Sequence, residues 1–351
     1  MLYAIVALLI FGILIMIHEL GHFTVARLCG VHIEEFSIGM GPKLLQKKSK
    51  KHGTLISLRA LPIGGYVSMK GENDDAEGED SFARKKVWQR MAIVVAGAAM
   101  NLLLGFIIVF VTVCLSKNLL ASTQIHSFDE NATSNTELGL QVNDTVIKVN
   151  GVKVYTGEEL SYEIMNQGHK PVDLTVIRDG EKIVLEDVVF PHIEEQGAVL
   201  GQGDFRLWAF DDPSFWQLIR ITWHRSVSLV KMVWDSVFNL ITGRFSIGAL
   251  SSPIGVTAAV KDTIDNSGWT GMQIFQYVLN ITSLITMNLG VFNLIPFPAL
   301  DGGRLLFLAV EGIRRKPISQ EIESKIHFVG IVLLMLLMFF VLGKDIIALI
   351  F

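Results

Sequence analysis

Residues 2–17 form an unbroken apolar run that leads directly into His18-Glu19-Leu20-Gly21-His22. With the residues that follow, the run is long enough to cross a bilayer core as a helix. Positions i and i+4 share one face of a helix, so His18 and His22 can hold one metal ion. Glu19 sits one residue further on, close enough to act on a water molecule at that ion without being a ligand itself. In a soluble helix the same pentapeptide could be a surface charge cluster. Ionisable groups inside an apolar segment are costly, however, and usually face a partner or a cavity.

The rest of the composition agrees with a membrane setting. Of 351 residues, 50% are hydrophobic and 18% charged, which suits a polytopic membrane protein carrying some soluble mass. A net charge of −4 gives no reason to expect a nucleic-acid partner. Cys29 and Cys114 flank different apolar runs, so neither a disulfide framework nor a cysteine metal site is expected. The first run lacks a basic leader and a small-residue cleavage site, so it is expected to stay as a helix.

Basic residues set the expected orientation. The stretch after the first helix carries Lys47, Lys48, Lys50, Lys51, Lys85 and Lys86 among others, which assigns it to the cytoplasmic side. Within it, Thr54–Leu58 and Tyr66–Met69 flank the turn signal Pro62-Ile63-Gly64-Gly65 and are expected to pair as a hairpin. Such a hairpin is either a small structural element or an edge that accepts an extended peptide. Glu72 to Asp80 reads as an acidic loop. Met91–Leu115 is a second span, in which Asn101 is expected to bond to a neighbouring helix and Gly97 to permit close packing.

Residues 120–200 change to short alternating segments, with hairpin turns at Asn150-Gly151 and Asp179-Gly180 and a helix over 158–167. They are expected to form a soluble domain on the extracytoplasmic side. Over 213–243, Trp216, Trp223, Val227, Trp234 and Phe238 recur at helical spacing between charged residues. This predicts an amphipathic helix on the membrane surface or packed on the soluble domain. A Gly/Ser/Pro-rich loop follows over 246–255. A third span from Ile274 to about Gly312 is interrupted by Pro296, Pro298, Gly302 and Gly303. Irregular backbone at that depth must be buried in protein or line a cavity. A shorter last span is expected over 328–343. The parts are therefore 1–116, 120–200, 213–262 and 271–351, in a chain of about four transmembrane helices.

By this topology the first helix and the third span both run inward, and His18, His22 and Asp301 all fall near their inner ends. A carboxylate is a natural third zinc ligand beside two histidines. Glu34 and Glu35 are rivals for that role and His32 a weaker one. The third histidine of an extended motif is absent, because its position is Leu28.

Two stretches together resemble the site-2 protease family of intramembrane zinc metalloproteases: His18-Glu19-Leu20-Gly21-His22, and Asn293-x-x-Pro296-x-Pro298-x-Leu300-Asp301-Gly302. Phe36 to Lys43, Arg59-x-x-Pro62-x-Gly64-Gly65-Tyr66 and Gly139 to Gly151 are similar to the bacterial, sigma-E-protease-like branch with one inserted PDZ domain. The resemblance implies an α-helical membrane fold with a cytoplasmic-side, membrane-associated β-hairpin and an extracytoplasmic α+β PDZ-like domain. It implies Zn2+ on His18, His22 and Asp301, Glu19 as general base, and substrate contacts from Asn293, Gly64, Gly65 and Tyr66. The expected activity is cleavage of single-span membrane proteins, such as anti-sigma factors or remnant signal peptides, in the bacterial inner membrane. An upstream site-1-type protease would trim the substrate first. Asn143 and Ala98 depart from the Gly and Pro usual at their positions, and only one PDZ-like domain fits. The alternative is a non-enzymatic PDZ-bearing scaffold with a structural metal site. A transporter is a third possibility, but no internal inverted repeat is visible.

Overall fold

The computed structural model describes residues 2–50, 53–72, 78–116, 120–195, 198–244, 248 and 250–350. The chain forms two compact units, one of residues 1–105 with 250–351 and one of residues 106–249.

Four helices among the described residues are long and apolar enough to span a membrane. Their spans are Ile5–Leu28, Val87–Leu115, Gly271–Leu294 and Glu321–Ala348. They belong to α1 (Leu2–Leu28), α2 (Val87–Leu115), α6 (Gly271–Leu294) and α8 (Gln320–Ile350). The last of these is longer than the sequence suggests, because charged residues at both ends continue the helix beyond its apolar centre. A second difference concerns the stretch after 246. The loop gives way at Ser252, whose side chain caps α5 (Pro253–Ser267), with proline in the first turn where its missing N–H costs nothing.

The first unit also holds β1 (Ile33–Lys48) and β2 (Leu55–Met69), and here the expected hairpin needs correction. Thr54–Leu58 and Tyr66–Met69 do not pair with each other. Glu35, Phe36, Ser37 and Ile38 stand between them, opposite Ser68 to Gly65 on one side and Leu55 to Leu58 on the other. Leu55 to Arg59 then pairs outward with Lys48 to Lys43. The central position of β1 follows from its buried residues: Ile33 and Ser37 are 2% and 1% exposed. Gly39 and Gly41, at φ 84° and 86°, let β1 bend back on itself. Residues 73–77 of the acidic loop lie outside the described residues.

Ala26, Ile33, Met69, Phe82, Ile93 and Leu308 share one buried cluster, which ties the end of α1 and the sheet to α2 and to α7 (Asp301–Arg314). The interruption of the third span is therefore real. α6 ends at Leu294, and α7 starts afresh at Asp301.

The second unit contains a six-stranded sheet in the order β10-β3-β4-β6-β7, with β5 paired to β4. Its strands are β3 (Ala121–Phe128), β4 (Thr145–Val149), β5 (Val152–Lys153), β6 (Val172–Arg178), β7 (Glu181–Val188) and β10 (Phe205–Ala209). Asn150-Gly151 and Asp179-Gly180 turn with positive φ throughout (44°, 80°, 52°, 84°), as two-residue hairpins require. Helix α3 (Gly157–Gln167) starts in a capping box of Thr156 and Glu159. It covers a core that includes Ile125, Leu140, Leu160, Ile164 and Phe190. A small pair, β8 (His192–Glu195) and β9 (Ala198–Gly201), lies beside α3. Helix α4 (Phe215–Ile241) turns its charged face to α3, where Lys231 Nζ lies 2.6 Å from Glu163 and Tyr162 donates to Asp235 at 2.8 Å. Its face of Trp216, Trp223, Trp234 and Phe238 is exposed.

Candidate active site

Three side chains from opposite ends of the sequence converge in the first unit. His18 Nε2 and His22 Nε2 are 3.1 Å apart, and Asp301 Oδ2 lies 3.1 Å from the first and 3.3 Å from the second. Tetrahedral coordination with bonds of about 2.0 Å puts ligand atoms about 3.3 Å apart, so this triangle is one face of such a site. With both Nε2 atoms as lone pairs, the buried Asp301 Oδ2 has no hydrogen-bond donor among the described residues. A buried carboxylate oxygen in that state needs a cation. The donor set, two imidazoles and a carboxylate, suits zinc.

Local structure explains the convergence. α1 carries the two histidines one turn apart. Gly21 lets α2 approach: a Cβ there would sit 2.3 Å from the Ala96 carbonyl oxygen. Gly97 on α2 leaves the space the rings occupy, since its Cβ would lie 2.3 Å from His22 Nε2 and 2.7 Å from His18 Cε1. Asp301 enters from the break between α6 and α7. There Gly302 and Gly303 pass so close to the Ile295 and Phe297 carbonyls that a Cβ would be 2.1 and 2.4 Å from them. Helix α8 supports the break. Its Gly330 packs on Pro298, and His327 Nδ1 accepts the Ala299 N–H at 3.0 Å.

Each histidine is also held from behind by α2. His22 Nδ1 donates to the Ile93 carbonyl at 2.8 Å, which leaves its Nε2 as a lone pair facing the cluster. His18 Nδ1 faces the Asn101 amide at 3.3 Å. Neither contact follows from the spacing in α1. The available signal is the four-residue step Ile93, Gly97, Asn101, which shares one face of α2.

Glu19 has no hydrogen-bond or ion-pair partner among the described residues, so its carboxylate is available to water. The sheet reaches it, because a Cβ on Gly65 would lie 3.5 Å from Glu19 Cγ. Gly64 has φ 80°, and Tyr66 Oη accepts from Arg59 Nη2 at 2.5 Å. Asn293 is in the last turn of α6 and makes no hydrogen bond to His18, His22 or Asp301 among the described residues. The rival ligands lie outside this group. Glu35 pairs with Arg59 at 3.1 Å and Lys43 at 3.4 Å, and Glu34 accepts from Ser68 at 3.0 Å. Among the described residues, only His18, His22 and Asp301 meet as a group of metal-ligating side chains. A cavity of about 890 Å³ adjoins Asp301, with Glu72, Arg90, Arg304, Glu311 and His327 on its walls.

The sequence model of Peptidase family M50 matches residues 6–337. The chain belongs to that family of site-2 proteases. This M50 peptidase is 35% identical to a Clostridium perfringens protein named as a zinc metalloprotease, over 99% of both chains. It is 30% identical to the zinc metalloprotease RasP of Shouchella clausii, over 96% of this chain and 97% of that one. It is 27% identical to the regulator of sigma-W protease RasP of Bacillus subtilis, over 97% of each. The chain is a zinc metalloprotease with the apolar helices of an integral membrane protein.

Proposed function

We propose that this protease is an intramembrane endopeptidase whose zinc is held by His18, His22 and Asp301 and whose general base is Glu19. The observation that carries the reading is the triangle of two ring nitrogens and one carboxylate oxygen, with edges of 3.1–3.3 Å. Three protein ligands leave a position open, whereas a structural zinc site is usually closed by four. Bound there, zinc supplies Lewis acidity, which polarises a carbonyl oxygen and acidifies water. Glu19 removes a proton from the attacking water and returns it to the departing amide nitrogen.

The substrates we propose are single-span membrane proteins, anti-sigma factors and remnant signal peptides among them, after trimming by an upstream protease. The name of the Bacillus subtilis relative, a regulator of sigma-W, supports the first of these. A helical substrate hides its peptide bonds and has to unwind before it is cut. Residues Gly65 to Met69 are paired with β1 on one side only among the described residues. A substrate segment added to their free edge would be held extended beside Glu19. Gly64, Gly65 and Tyr66 would then line the peptide, with Asn293 binding its backbone. Residues 120–200 are read as one PDZ-like domain on the extracytoplasmic side, with the metal centre near the cytoplasmic face.

The test is cleavage of a tagged single-span reporter in proteoliposomes, with a soluble reporter of the same cut region alongside. Cleavage of the membrane reporter alone by wild type, and of neither by Glu19→Gln, is expected. Equal cleavage of both would refute the intramembrane reading. Full activity in Glu19→Gln would remove Glu19 as the base.

A further inference from the structure

We propose that Asn101 is a positioning residue for the metal centre: its side-chain carbonyl accepts the Nδ1 proton of His18 and so keeps the Nε2 lone pair aimed at the metal. The inference rests on the zinc-binding reading of His18, His22 and Asp301.

Imidazole ligates through one nitrogen only when the proton is on the other. For His22 this is settled by a backbone group, because the Ile93 carbonyl can only accept. The His18 ring has no such carbonyl. Its Nδ1 meets the Asn101 amide at 3.3 Å, in a position where Asn101 is 0% exposed. With Nδ2 toward the ring, the amide donates to Nδ1, and the ring proton must then sit on Nε2. That nitrogen lies 3.1 Å from Asp301 Oδ2 and could not ligate. An asparagine amide turns over without changing its shape. Turned over, Oδ1 receives Nδ1–H, and Nε2 is freed as a lone pair. The Asn101 amide therefore sets the His18 tautomer.

The backbone holds Asn101 in register for this task. Thr286 Oγ1 on α6 donates to the Asn101 carbonyl at 3.1 Å. Ile93, Gly97 and Asn101 follow at four-residue intervals on one face of α2, so one strip of that helix supports both rings and leaves the gap between them.

The experiment is a zinc competition titration against a chromophoric chelator, on the full chain in detergent. The proteins are wild type, Asn101→Leu, Asn101→Ala, Asn101→Asp and His18→Ala. Asn101→Leu keeps the branched shape of the side chain, though it is bulkier, and removes the acceptor; zinc binding weaker by about 10–100-fold is expected. Asn101→Ala should show the same loss, which covers the case in which leucine prevents folding. Asn101→Asp restores an acceptor for Nδ1–H and should bind zinc within a few-fold of wild type, a rescue that a packing role does not explain. Wild-type affinity in Asn101→Leu or Asn101→Ala overturns the proposal while the metal site stands. A loss in Asn101→Asp as large as in Asn101→Leu also overturns it. Wild type binding zinc no more tightly than His18→Ala overturns the metal reading and this inference with it.

Discussion

Replacing Gly97 by alanine adds one methyl group, and two effects of opposite sign compete. Glycine inside a helix is about 1 kcal/mol less favourable than alanine, so propensity alone makes the substitution stabilising. Against this, the new Cβ would stand 2.3 Å from His22 Nε2 and 2.7 Å from His18 Cε1. Ordinary contact between such atoms begins at about 3.4 Å, so something must move by roughly 1 Å. The rings cannot yield alone, because His22 is bonded to Ile93 and His18 faces Asn101 across the same helix. Metal–ligand distances tolerate about 0.2 Å, and a misplacement of about 1 Å can reduce turnover about 100-fold. The clash is present with or without metal, so the gain in helix propensity is expected to be cancelled and the metal-free protein to be no more stable than wild type, while it binds zinc and cleaves at least about 100-fold less well. Gly105→Ala is the control on the same helix. The three atoms nearest to its Cβ all belong to the flexible Met287 side chain, at 2.9–3.0 Å, which can move aside. Thermal unfolding, zinc titration and reporter cleavage would be compared for both variants. Wild-type zinc affinity in Gly97→Ala would refute the reasoning, since the rings would then not fill that space.

Other outcomes are expected elsewhere in the chain. Gly302→Ala would force a Cβ to 2.1 Å from the Ile295 carbonyl and push Asp301 out of place, so zinc content should fall. Ala299→Gly, at φ 82°, should relieve about 1 kcal/mol of strain and raise the unfolding temperature without loss of metal. Partial burial pushes the Glu35 carboxyl up, but hydrogen bonds from Ser57, Tyr66 and Arg59 and the charge of Lys43 outweigh it and hold it at about 2 rather than 4.5. A depressed acid stabilises the fold while ionised, so its contribution is full above about pH 4.5 and is lost as pH falls toward 2. Limited proteolysis of the sheet across that window should show the loss, and Glu35→Gln should show a smaller change over the same range, since Asp80, paired with Lys70, is also depressed. Lys231→Met leaves Glu163, only 4% exposed, without its cation. Unfolding of the second unit, followed by proteolysis, should reveal a destabilisation of about 1–3 kcal/mol.

The meeting of His18, His22 and Asp301 was legible in the sequence because its causes are local or topological. His18 and His22 are fixed by one helical turn, and Asp301 by the depth of a Pro/Gly break in an apolar span. The hairpin differs from the expectation because β1 carries little strand alternation: Glu34 and Glu35 mask the buried Ile33 and Ser37, so residues 33–38 give no sign that they stand between the two segments. Asn150-Gly151 and Asp179-Gly180 were readable, since a positive φ demands those residue types. The support from α2 was half legible. Gly97 and Asn101 were visible as small and polar positions in a span. That they face the histidines depends on how α1 and α2 pack, and no local pattern records that.

The most direct test of the account is the zinc K-edge X-ray absorption spectrum of the purified protein, beside that of Asp301→Ala. The account predicts two imidazole shells and an oxygen donor at about 2.0–2.1 Å in wild type, with an altered shell or lost metal in Asp301→Ala. A sulfur shell near about 2.3 Å, or an identical spectrum in Asp301→Ala, would contradict it.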